Sequence, residues 1–181
     1  VTSQLGLAAV TTSSADAALL VLRLAIGPMM FAHGYQKVFL GGGIEGTAGW
    51  FESMDMRPGR LNAWMAAITE TGTGALLTLG LLTPLAAAGM VGVMVVAWFT
   101  HRGTYFVFKD GWEYNIVIAM VVVAIAGLGP GGWSLDDLLG LADDLSGWTG
   151  LALAAGLGLV SGLATIAVFH RPEPTEAPPE S

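Results

Sequence analysis

The sequence predicts an all-α integral membrane protein of five spanning helices, joined by short interfacial helices. Three observations carry that expectation. Of 181 residues, 54% are apolar and only 12% charged, with a mean hydropathy of +0.66. That balance belongs to membrane proteins rather than to soluble domains. Long apolar stretches alternate with Gly- and Pro-rich breaks, and most are near the ~20 residues a bilayer core requires. Finally, a few ionisable residues fall inside those stretches, where each costs about 2.5–3.5 kcal/mol near the helix centre on insertion scales. At this length we expect one compact domain.

The composition also excludes function classes. With no cysteine there are no structural disulfides, no dithiol chemistry, no Cys-ligated metal and no iron–sulfur cluster. Seven basic residues scattered over the chain make no nucleic-acid footprint, whatever the net charge of −7.

Residues 1–14 carry no Lys or Arg and read as a short flexible tail rather than a signal peptide. Asp16, after Ser13 and Ser14, suits the N-cap region of a first helix over residues 15–40. Pro28 is placed to kink that helix, and Gly41, Gly42 and Gly43 end it. Trp50, Phe51 and Met54 then share one side of a short stretch with acids opposite, the pattern of a helix lying in the interface. Pro58 and Gly59 break the chain before a second span over residues 61–82. Thr83 and Pro84, a cap followed by proline at N1, make a tight turn into a third span ending near His101. Tyr105, Phe106 and Phe108 suit an interfacial loop, and Glu113, Tyr114 and Asn115 open a fourth span over residues 112–128.

Residues 133–146 differ in kind. Ser134 caps, Asp136 and Asp137 fill the first turn, and leucines make a stripe, so an acidic amphipathic helix on the membrane surface is expected. The fifth span, over residues 149–169, carries no charge. Ala154, Gly158 and Gly162 recur every four residues there, a small-residue stripe that allows close helix packing. Residues 171–181 are rich in Pro and Glu and read as disordered. Trp98, Trp112, Trp133 and Trp148 lie near helix ends and read as interfacial anchors.

Basic residues set the topology. Lys37, Arg57 and Arg60 flank the first loop, Arg102 and Lys109 the third, and Arg171 follows the fifth helix. The second and fourth loops have none. These rules place the N-terminus outside and the C-terminus in the cytoplasm.

With that topology, the polar residues inside the spans fall at comparable depth. His33 and Lys37 are four apart on one face of the first helix. Glu70 lies nine residues, about 13 Å, past the start of the second. His101 ends the third and Glu113 starts the fourth. Adjacent helices pack about 8–10 Å apart, so either His33 or Lys37 can reach Glu70. Arg23 stands more than two turns higher, where helix carbonyls or a lipid phosphate can serve it.

The motifs LRLAIGPMMFAHGYQKVF, a glutamate followed by LLTLGLLTPLAAAG, then His101, EYN and GPGGWSLDDLL occur in one order across residues 19–139. In this the chain resembles the DoxX family of small membrane proteins. The resemblance implies a four-helix bundle over residues 15–148, to which residues 149–170 add a fifth spanning helix. It implies a place in a bacterial cytoplasmic membrane. Some relatives act as the small membrane subunit of thiosulfate:quinone oxidoreductase, and others are linked to redox-stress complexes. Carried over position by position, the family's polar residues are Arg23, His33, Gly34, Lys37, Glu70, His101, Glu113 and Tyr114.

Two readings of the cluster stand side by side. In one, His33, Lys37, Glu70, His101, Glu113 and Tyr114 hold a quinone headgroup, with His and Lys donating to its carbonyls and Glu shuttling a proton. In the other they form a satisfied network that pins the helices, as structural ion pairs also do. Arg23 is expected to be a structural charge. No HxxxH or ExxH spacing points to a metal. The chain encodes no redox centre, so electron transfer would borrow a partner's cofactor. The expected partners are the lipid bilayer and a larger membrane complex, docked through residues 149–170 and the acidic segment 133–146.

Overall fold

The computed structural model describes residues 2–101, 105–106, 109 and 111–172. Within them the chain is helical, with the one isolated bridge described below. Helix α1 (Thr2–Phe39) lies along α3 (Gly59–Leu79), and α2 (Gly43–Ser53) packs across the start of α3. Helix α4 (Thr83–Thr100) is central: it touches α3, α5 (Glu113–Leu128) and α7 (Gly147–Phe169). Between the last two sits α6 (Leu135–Leu138), a single turn. Residues Ala152–Leu157 of α7 form a π-helical segment.

Three of these helices are long and apolar enough to cross a membrane: Ser14–Phe39 of α1, α4 and α7. Helix α5 is apolar but has 16 residues. Helix α3 has the length, but Asn62, Glu70 and its threonines dilute its hydropathy. Polar residues in a helix of this class belong on an inward face, and Asn62, Glu70 and Thr73 are indeed buried. The outside is correspondingly apolar, with Val21, Ile68, Met120, Leu128 and Val160 among the exposed side chains. The main core is built around Met30, Leu77, Met90, Val122 and Ile125.

Helices α1 and α3 meet through glycines. A Cβ on Gly34 would lie 2.6 Å from both the Ala67 carbonyl oxygen and the Thr71 nitrogen, and one on Gly74 would lie 2.7 Å from the Gly27 carbonyl oxygen. These are backbone atoms, which cannot rotate away. Gly34→Ala should therefore cost about 1–3 kcal/mol through overpacking. The check is the melting temperature in detergent beside that of Gly46→Ala, where a Cβ meets only open space.

The two ends of the bundle are tied differently. At one end the start of α3 and the exit of α7 are laced by backbone: Arg57 N donates to the Phe169 carbonyl at 2.7 Å, and Arg171 N to the Asp55 carbonyl at 2.8 Å, around a Met56–His170 bridge. Trp50 and His101 rings lie 6.0 Å apart at this same end. At the other end Gly132 N donates to Asp16 at 2.8 Å, and Asp136 N to the Gly80 carbonyl at 2.8 Å. The first loop, the third loop and the C-terminal exit thus share one end, and the second and fourth loops the other.

Four local expectations are corrected. Helix α1 starts at Thr2, so residues 2–14 are helical and Asp16 is not its cap; the Asp16 carboxylate is used on the Gly132 amide instead. The acidic segment is helical only over Leu135–Leu138, followed by turns, because Asp136 turns inward and is 0% exposed. Thr83 is not the cap of α4. Leu82 occupies that position in a left-handed conformation, and Asp136 supplies the capping carboxylate. The small-residue stripe of the fifth helix packs inside the chain: Gly158 and Gly162 face Val91 and Val95 of α4, and Ala154 is fully buried. The expected disordered tail beyond Pro172, the basic residue Arg102 and the aromatic Phe108 lie outside the described residues.

Candidate functional site

Glu70 sits just past the middle of α3, on its inward face, and is 5% exposed. Lys37 comes from the last turn of α1, and its Nζ donates to Glu70 Oε2 at 2.6 Å. A lysine in the last turn also complements the helix C-terminal dipole, and its Nζ lies 3.4 Å from the His33 carbonyl. Of the two bases considered for Glu70, the structure pairs Lys37 with it directly. His33 stands one turn earlier on the same face and contributes to the electrostatic field at Glu70.

This pair faces a cavity of about 570 Å³, within the roughly 300–1,000 Å³ typical of small-molecule sites. His33 and Met30 of α1, Trp50 of α2 and Asn62 of α3 line it. So do His101 of α4, Tyr114 and Asn115 of α5, and Ser161 and Thr165 of α7. Five of the six residues singled out for a ligand therefore meet in one space: His33, Lys37, Glu70, His101 and Tyr114. Glu113 opens α5 but is not among the lining residues. On a helix, its neighbour Tyr114 points about 100° away.

Both histidines hold their rings the same way. His33 Nδ1 donates to the Met29 carbonyl at 2.9 Å, and His101 Nδ1 to the Ala97 carbonyl at 2.7 Å. In a neutral imidazole this tautomer leaves Nε2 as an acceptor and a proton base. The Tyr114 hydroxyl reaches across to the Met29 sulfur of α1. The cavity thus presents a cationic donor at Lys37, a hydroxyl at Tyr114, two imidazoles and a carboxylate, on walls formed by Met30, Met65, Met94 and Ile118. Such a set can orient a flat polar headgroup and exchange protons with it.

Sequence reasoning missed part of the lining. Asn62, a buried amide whose Nδ2 donates to the Pro58 carbonyl at 2.9 Å, was legible as a polar residue in a span. Trp50, assigned to the interface, lines both this cavity and a second, open groove of about 470 Å³ formed with Lys37 and the turn at Gly41, Gly42 and Gly43. Ser161 and Thr165 carried no signal beyond their hydroxyls.

Arg23 is placed apart, near the opposite end, and is 0% exposed. It donates to the Trp133 carbonyl, and its charge faces Asp136. Among the described residues its hydrogen-bond acceptor is a carbonyl of the loop after α5, which folds over it, rather than a helix carbonyl.

A helical bundle that is apolar outside, with a charged cavity inside, defines a small integral membrane protein. The DoxX family model matches residues 18–103, from within α1 to past the end of α4, and over that segment the chain is similar to the DoxX family. Comparison with curated proteins found no match, and neither did comparison with solved structures.

Proposed function

We propose that this chain is the membrane subunit of a redox complex in the cytoplasmic membrane and that its bundle cavity binds a quinone headgroup. One observation carries the reading: the Lys37–Glu70 pair, 2.6 Å long, opens onto a cavity of about 570 Å³ that also holds His33, His101 and Tyr114. An ionisable group within a spanning segment marks a functional site by default when it borders a cavity. The tautomers refine the roles expected from sequence. Lys37 and Tyr114 are the donors to a quinone carbonyl, while the Nε2 atoms of His33 and His101 accept from a quinol hydroxyl. Glu70 and Lys37 exchange the proton between those states. Electrons come from the partner's cofactor.

The test is purification of the full chain in mild detergent, with mass spectrometry of bound lipids and titration of tryptophan fluorescence with quinone. Trp50 lines the cavity and reports directly. Quinone should co-purify and quench saturably, and Tyr114→Phe should weaken binding by about tenfold, one lost hydrogen bond to a polar ligand. Absence of both co-purified quinone and saturable quenching overturns the reading.

A structural or assembly subunit is the second reading. It is favoured by one observation: the Glu70 carboxylate is already partnered by Lys37, as a helix-pinning network requires. Co-purification with a larger complex, without bound quinone, would select it.

A further inference from the structure

The cavity has two chemically distinct ends. Its lining residues on α4 fall on two faces at about 100° per residue. Met94, Ala97 and His101 form one face, toward the core shared with Met30 and Ile118. Gly89, Gly92, Val93, Val96 and Thr100 form the other, whose neighbours in the lining are Thr69 and Met65 of α3 and Ser161 and Thr165 of α7. On the second face of α4, Gly92 is buried against Ser161, but the strip beside it is only partly covered. Gly89 and Val93 are only half-buried, Ser161 is exposed, and Leu85, one turn up the same face, is 43% exposed. Among the described residues, backbone hydrogen bonds join the segment just before α3 to the exit of α7, through Arg57 and Phe169. Above that lacing α3 and α7 each pack on α4 rather than on each other, with part-exposed residues of α4 between them.

The walls of this strip offer hydrocarbon rather than hydrogen bonds. Ser161 Oγ donates to the Gly158 carbonyl at 3.0 Å, and Thr165 Oγ1 to the Ser161 carbonyl at 2.8 Å. Those hydroxyl protons are spent on α7 itself. The Thr73 methyl covers Gly89 and Ser161 Oγ covers Gly92, so Val93 and Val96 form the floor between α3 and α7. We propose that the slot between α3 and α7 is a lateral portal that holds the hydrocarbon tail of a lipid-soluble ligand whose head lies at Lys37 and Glu70. The site therefore takes long-tailed amphiphiles delivered from the bilayer, not water-soluble ring compounds delivered from the aqueous groove at Gly41. The portal wall formed by α7 lies outside the matched family segment. The inference rests on the quinone reading for the identity of the head, and on the geometry alone for the path of the tail.

The experiment uses the full-length chain in detergent and a benzoquinone whose alkyl tail ends in a photoreactive diazirine. Labelled peptides are mapped with and without excess untagged decylubiquinone. Competed label is expected on α7 around Ser161 and Thr165 and on α3 around Met65. Ser161→Trp should abolish the α7 label, while Leu163→Trp, on the exposed side of the same helix, should leave it. Competed label on α1 or α5, near Met29 and Tyr114, would overturn the portal while leaving a quinone site in place. No competed label anywhere would overturn the quinone reading and the portal with it.

Discussion

Glu70→Gln is expected to lower the detergent melting temperature sharply, and Glu70→Gln with Lys37→Met to recover most of the loss. In the single variant the Lys37 ammonium, with a side chain only 16% exposed, loses its carboxylate while staying inside the bundle. Stranding one member of a buried pair costs about 3–5 kcal/mol, whereas replacing both with apolar or neutral groups of similar volume is far milder. Methionine keeps the length of lysine and suits a cavity already walled by Met30, Met65 and Met94. His33→Gln should not rescue Glu70→Gln, because the His33 ring is bonded to its own helix at Met29 rather than to the carboxylate. Rescue by His33→Gln instead of Lys37→Met would show that the pairing is wrong. The recovered double variant also separates the two functional readings. It should no longer bind quinone if the pair is a site, and should support its complex normally if the pair is only structural.

Asp136→Ala should be about as damaging as Glu70→Gln, and Asp137→Ala nearly silent. Asp136 Oδ1 accepts from Leu82 N at 2.7 Å, and Oδ2 accepts from Thr83 N at 2.9 Å and Thr83 Oγ1 at 2.7 Å. It therefore satisfies the amides at the start of α4 from more than fifty positions away, where the helix dipole also favours a carboxylate. The same group faces the fully buried Arg23, whose Nε and Nη1 have no hydrogen-bond partner among the described residues. Alanine would strand buried donors and remove the countercharge together, a loss of about 3–5 kcal/mol. Asp137 is exposed, and its side chain is not part of this cap, so its removal should stay within about 0.5 kcal/mol. Thermal unfolding of both variants in detergent decides it. Equal melting temperatures would mean that the loop after α5 does not hold α4.

The sequence by itself determined the membrane class and the boundaries of the four later long helices to within a few residues, and it put His33, Lys37, Glu70, His101 and Glu113 at one level, of which all but Glu113 line the cavity. Those features follow from local rules. Apolar length measures a span, Gly and Pro punctuate it, and an ionisable residue in hydrocarbon must turn inward wherever its helix sits. Which partner each charge takes was left to tertiary structure. Lys37 and His33 share a face, and only the packing of α1 on α3 through Gly34 and Gly74 brings the ammonium, not the imidazole, onto Glu70. Asp136 and Asp137 are neighbours of one chemistry in one acidic run. A helix turn sends one to the cap of α4 and the other to water. The stripe at Ala154, Gly158 and Gly162 announced close packing, but not that α4 would be the helix packed against. Such contacts join residues far apart in the chain, and their energies depend on burial and angle, which periodicity does not encode. The part-exposed strip of α4 between α3 and α7 has the same origin: both helices pack on α4, at a spacing that tertiary contacts decide.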